Sequence, residues 1–181
     1  MAIDLLNHKL DRAFDHIDAG GAGVVAREDL LGLGARLLVG FGESPTSVTG
    51  SSLVDSFDGI WTALSEALGR DRDLGLTRED FRVGMTAAFV TGGGYDEVFR
   101  PAAVAVAELC DIDGDGHVGP KEFRTMLAAF GTAYDDVDEA FERLDRSGRG
   151  ALTVEELVLA AREYYVSEDP NAAGNWLYGP L

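Results

Sequence analysis

Asp111, Asp113, Asp115 and Glu122 place carboxylates at the first, third, fifth and twelfth positions of the stretch 111–122, with Gly116 at the sixth. A hard divalent cation of calcium's size takes 6–8 oxygens at roughly 2.3–2.6 Å, more than a short helix or strand turns toward one point. A loop with this spacing does. The three Asp side chains, the main-chain carbonyl of His117 and both oxygens of Glu122 converge, and Gly119 at the ninth position leaves its place to water. Gly116 stands where the chain turns sharply, through a conformation that a Cβ resists. An acidic, glycine-rich surface loop is the plainer reading. Val118 at the eighth position and Phe123 just past the loop, both apolar as packed flanking helices require, set it aside.

The spacing is that of an EF-hand loop between two helices, and it recurs in weakened form. Aligned on the eighth position, further loops fall at 18–29, 69–80 and 145–156. The residue before each loop is apolar (Ile17, Leu68, Cys110, Leu144), as are the eighth (Val25, Leu76, Val118, Leu152) and the one after (Leu30, Phe81, Phe123, Leu157). Four helix–loop–helix units follow, an all-α fold with the units in two pairs and short β pairings between loops.

Their metal chemistry is unequal. The fourth loop offers Asp145, Ser147, the Ala151 carbonyl and Glu156, but Arg149 at its fifth position cannot ligate a cation. It carries a net charge of −1 against −3 for the third, so calcium should bind it more weakly. The first keeps only Asp18 and Asp29 as side-chain ligands, with Gly20 and Ala22 at the third and fifth positions. The second has Gly69 at its start and Leu74 at the turn, and Arg70 and Arg72 stand beside Asp71 and Asp73, whose charge they offset. It reads as structural.

Three domains are expected: 1–91 with the first pair, 95–168 with the second, and an aromatic tail, 169–181, docked on the body. The polar stretch 44–52, with Pro45, reads as a loop, followed by a helix from about 53 to 68 whose Trp61 is a core anchor. The first helix, from about 3 to 17, has Ile3, Leu6, Leu10, Ala13, Phe14 and Ile17 at helical spacing. The triplet Gly92, Gly93 and Gly94 reads as the linker between halves, since no P-loop Lys-Ser/Thr follows it. Pro101 and Pro120 suit first helical turns, and Gly131 a helix stop. Trp176, Leu177 and Tyr178 form an apolar cluster that would be sticky if exposed; docking onto the groove of one EF-hand pair is expected.

The net charge of −17 over 181 residues repels nucleic acid and anionic lipid. No stretch is apolar enough for a membrane span, and the opening Met-Ala-Ile-Asp-Leu-Leu lacks the basic start of a signal peptide. A cytoplasmic monomer is the expectation. Cys110, the sole cysteine, precludes an internal disulfide and reads as a core residue.

Four hands in this length, a degenerate second loop, a mid-chain glycine connection and an aromatic tail resemble the sarcoplasmic calcium-binding proteins and their bacterial relatives, the calerythrin-like proteins of actinobacteria. The resemblance implies a compact all-helical body and a role in calcium buffering or signal modulation. The first loop departs from that family at Gly20, Ala22 and Asp29, where a working site is common.

The leading expectation is a calcium-binding protein, a buffer or signal modulator, with magnesium as competitor and one strong and one weaker site. A sensor that opens onto a target-protein helix is the alternative, which three Met residues support poorly. No GxSxG, HExxH, CxxC or P-loop motif occurs, so an enzyme is not expected. A scaffold with no calcium role is the third reading.

Overall fold

The computed structural model describes residues 2–181, with side chains from Asp4 onward; Met1 and the Ile3 side chain, counted above in the first helix, lie outside the described set. Helix α1 (Ala2–Ile17) leads into a short strand β1 (Val24–Val25) and helix α2 (Arg27–Phe41), and α3 (Val48–Ala67), β2 (Leu76–Thr77) and α4 (Arg78–Met85) complete the first pair. The second pair runs α5 (Arg100–Cys110), β3 (His117–Val118), α6 (Pro120–Phe130), α7 (Val137–Leu144), β4 (Leu152–Thr153) and α8 (Val154–Val166). β1 pairs antiparallel with β2, Val25 opposite Leu76, and β3 with β4, Val118 opposite Leu152. The all-α class and the loop-to-loop β pairing follow the sequence expectation. The physical reason is the apolar eighth position: Val25, Leu76, Val118 and Leu152 are all buried, so each strand is pinned to the core by one side chain.

Helix α3 begins at Val48, five residues before the expected start, so residues 48–52 are not loop. Its serine-rich start hid a cap: Ser47 Oγ accepts from the Gly50 N–H at 2.9 Å, satisfying one of the helix's free donors. Gly50 belongs to this turn because a Cβ there would overlap the Ser44 carbonyl.

Buried residues of both pairs form one hydrophobic cluster. Contacts of α3 with α5, of α2 with α6 and of α1 with α8 join the two pairs. Between them, π-helical turns Thr86–Val90 and Tyr95–Phe99 flank a tight connection in which Gly93 has φ 74°. Trp61 is buried, and its indole N–H donates to the Arg72 carbonyl at 2.8 Å, tying the second loop to α3.

The segment after α8 folds back over the body through a 3₁₀ turn, Ala173–Trp176. Tyr178 inserts its ring among His16 of α1, Phe130 of α6 and Tyr164 of α8, at centroid distances of 4.6, 4.7 and 4.9 Å. The tail thus touches both pairs instead of the groove of one. Lys9, one of two lysines, is the anchor that sequence reading missed. Its buried ammonium donates to the Glu163 carbonyl (3.1 Å), the Ser167 carbonyl (2.6 Å) and Asn175 Oδ1 (3.0 Å). A cation at the carbonyl end of α8 is stabilised by the helix dipole, and here it also holds the tail. Among the described residues no helix is long and apolar enough to cross a membrane.

Candidate metal centre

All four loops share a local frame that hydrogen bonds set before any ion is considered. The twelfth-position carboxylate accepts the ninth-position N–H in each: Asp29 from Ala26 (2.7 Å), Asp80 from Thr77 (3.0 Å), Glu122 from Gly119 (2.7 Å) and Glu156 from Thr153 (2.9 Å). In the first, third and fourth loops the first-position aspartate also accepts the sixth-position N–H: Asp18 from Gly23 (2.8 Å), Asp111 from Gly116 (2.9 Å) and Asp145 from Gly150 (2.7 Å). Two glycines allow this turn. The sixth-position residues Gly23, Gly116 and Gly150 have φ 75°, 83° and 77°, and the fourth-position Gly21, Gly114 and Gly148 have φ 68°, 72° and 66°. The fourth-position requirement escaped the sequence reading, although the shared Gly-x-Gly in three loops carried the signal. Leu74 occupies the sixth position of the second loop, and no described residue other than glycine adopts a positive φ, so that loop turns differently.

The third loop brings Asp111, Asp113 and Asp115 together, with one oxygen of each within 4.8 Å of the others; this is the cluster of metal-ligating type found among the described residues. Three hard anionic oxygens at such separations suit calcium and repel one another without it. Glu122 stands outside the trio, its carboxylate bonded to the Gly119 N–H and, at 3.3 Å, to the Ile112 N–H. His117 is half-exposed and its Nδ1 lies 3.1 Å from the Asp115 carbonyl oxygen, leaving its own carbonyl as the loop's seventh-position donor. Cys110, just before the loop, is wholly buried, and burial pushes its thiol far above the ordinary range.

The fourth loop has the same backbone and a different charge at its centre. Arg149 Nη2 donates to both carboxylate oxygens of Glu156, 2.9 Å to each. A guanidinium therefore faces the carboxylate that a cation would use. Ser147 Oγ donates to Asp145 Oδ1 at 2.9 Å, so the hydroxyl also supports the first-position carboxylate. The Gly150 N–H, with Ser147 and Arg149 N–H, holds the Asp145 carboxyl below its usual range. Bonds from Thr153 and the Arg149 charge do the same for Glu156.

The second loop repeats the device from another position. Arg70 donates to both oxygens of Asp80, at 2.8 and 2.7 Å. Arg72 bonds Asp58 on α3 at 2.8 Å. Neither arginine bonds the Asp71 or Asp73 that it stands beside in sequence; each reaches a partner more distant in the chain. In the first loop Asp18 and Asp29 hold backbone N–H groups, and Gly20 and Ala22 add no side-chain oxygen. The residues present fit calcium in 111–122; in 145–156 Arg149 already holds Glu156, in 69–80 Arg70 already holds Asp80, and in 18–29 only Asp18 and Asp29 place carboxylates at ligand positions.

No family model matches the chain. Calerythrin from Saccharopolyspora erythraea is 28% identical over 167 residues, covering 91% of this chain and 94% of the relative. Among solved structures, a Streptomyces coelicolor calcium-binding protein, described in prokaryotic calcium-mediated regulation, superposes with TM-score 0.74 at 27% identity over 91% of this chain and 99% of that one. Apo-aequorin in complex with (S)-HM-daCTZ superposes with TM-score 0.77 over 97% of this chain and 90% of that one, and at 17% identity speaks for the fold alone. The chain is similar to calerythrin over nearly its whole length and has the four-EF-hand fold.

Proposed function

We propose that this chain is a calcium-binding protein that acts as a cytoplasmic buffer or self-contained signal modulator, with its principal site in loop 111–122. The observation that carries the reading is the trio Asp111, Asp113 and Asp115, held by backbone bonds with no arginine or lysine among the described residues bonded to their carboxylates, while Arg70 and Arg149 neutralise the twelfth-position carboxylates of the second and fourth loops. Asp111, Asp113, Asp115, the His117 carbonyl and Glu122 would hold the ion. Asp145, Ser147, the Ala151 carbonyl and Glu156 form a second site that calcium fills only by displacing Arg149. Asp18 and Asp29 are assigned to loop structure. Magnesium, which requires near-ideal octahedral geometry, competes at 111–122 with lower affinity.

A buffer is favoured over a target-binding sensor because Tyr178 and Leu177 of the chain itself fill the space between helices that an opened groove would present. The bound ion supplies charge neutralisation alone. The chain's own part is to hold the carboxylates close, so that calcium relieves their repulsion.

Calorimetric titration with calcium at physiological magnesium tests the reading. One dominant site is expected, lost in Glu122→Gln. Two equal sites, or a titration that Glu122→Gln leaves unchanged, would refute the assignment.

A further inference from the structure

A cavity of about 80 Å³ lies where α1–α6, α8 and the tail meet. Packed protein interiors leave few voids larger than a water molecule. This one is kept open by small side chains, Ala13, Ala102, Ala103 and Ala161, in a wall otherwise made of large apolar ones. A single Leu in place of any of them would intrude on the space.

His16 stands in the same wall, 8% exposed, and its Nδ1 has no hydrogen-bond partner. An unpaired buried polar atom costs about 1–3 kcal/mol, so the void and the unpaired atom are two penalties at one place. Burial, reinforced by Arg12 and Arg36, lowers the imidazole pKa to about 3, which keeps the ring neutral, with one nitrogen free to accept and one to donate. Tyr165 and Tyr178 add a polar edge, their hydroxyls 2.9 Å apart. The tail contributes Leu177 and Tyr178 to the lining and is the wall built on a single 3₁₀ turn.

We propose that this cavity is a binding site for a small aromatic molecule of phenolic type, its ring among the apolar side chains and its hydroxyl bonded to His16. An apolar cavity of roughly 150 Å³ takes benzene, so a single ring enters here with an outward shift of the tail. The hydroxyl removes the penalty at His16 Nδ1, which a plain hydrocarbon does not. The proposal is independent of the calcium assignment.

Phenol and toluene, equal in shape and different in the hydroxyl, are the probes. With the calcium-loaded protein labelled at histidine nitrogens, phenol at millimolar concentration is expected to shift the His16 ring resonances saturably, and to bind at least about tenfold more tightly than toluene. Ala161→Leu, which fills the cavity, should abolish the shift while calcium titration stays intact. If Ala161→Leu fails to fold, the wild-type resonances decide alone. No saturable shift at His16, or equal binding of phenol and toluene, overturns the proposal.

Discussion

Arg149 places one guanidinium nitrogen 2.9 Å from both carboxylate oxygens of Glu156, so the fourth loop carries its own cation where a calcium ion would draw on the same side chain. The pair is about half exposed and contributes under about 1 kcal/mol to stability. Its effect on metal binding is larger, since a positive charge inside a cation site opposes the ion at every step of approach.

Arg149→Asp should therefore convert the fourth loop into a calcium site. Calorimetry is expected to show one more ion bound per chain, with affinity at 145–156 raised at least about tenfold through the added ligand and the removed charge. Unchanged stoichiometry would mean that Arg149 is not the obstacle.

Glu122→Gln keeps the Gly119 bond, through the amide oxygen, and removes one anionic charge from the loop. Calcium affinity at 111–122 should fall by about 100-fold or more while the far-ultraviolet circular dichroism of the apo protein stays unchanged. Retained affinity would contradict the ligand set.

Lys9 gives the protein a distinctive alkaline behaviour. Burial lowers its ammonium pKa to about 8 against 10.5 in the unfolded chain, with Glu163 and Glu168 opposing the shift. Between these values the unfolded state holds more protons, so stability rises with pH. Urea midpoints measured from pH 8 to 9.5 should rise by on the order of 1 kcal/mol in free energy, and Lys9→Met should flatten the trend. Above that window the tyrosines act the other way. Burial raises Tyr95, Tyr164 and Tyr178 well above their usual range, which favours the unfolded state once its phenols ionise.

Gly174 lets the tail lie against α8, and a Cβ there would overlap the Ala160 carbonyl and Glu163 Cβ. Gly174→Ala should destabilise the protein by roughly 2 kcal/mol and raise the fluorescence of a hydrophobic dye, because Tyr178 and Leu177 lose their seat. No change in dye binding would show that the tail tolerates displacement without exposing the core.

Much of this was legible in the chain itself, for reasons that differ by residue. The eighth-position residues declared the four hands because one apolar side chain per loop must reach the core whatever happens to the metal site. The start of α3 was hidden because serine, threonine and glycine suit both a loop and a capped helix start, and only the Ser47 cap decides between them. Arg149 was recognisable as a defect, yet not as a counterion to Glu156. Which carboxylate a long side chain reaches depends on how the loop curls. Lys9 gave no local sign, since its partners stand more than 150 residues away.

That distance has a consequence for biosynthesis. Until residues 163–175 leave the ribosome, the Lys9 amine has no carbonyl to meet and the face of α1 carrying His16 stays bare. The N-terminal pair thus waits for the segment 163–175 to finish its own interior. Ribosome-bound chains halted near residue 160 should be cut within α1 by a protease that spares the released protein.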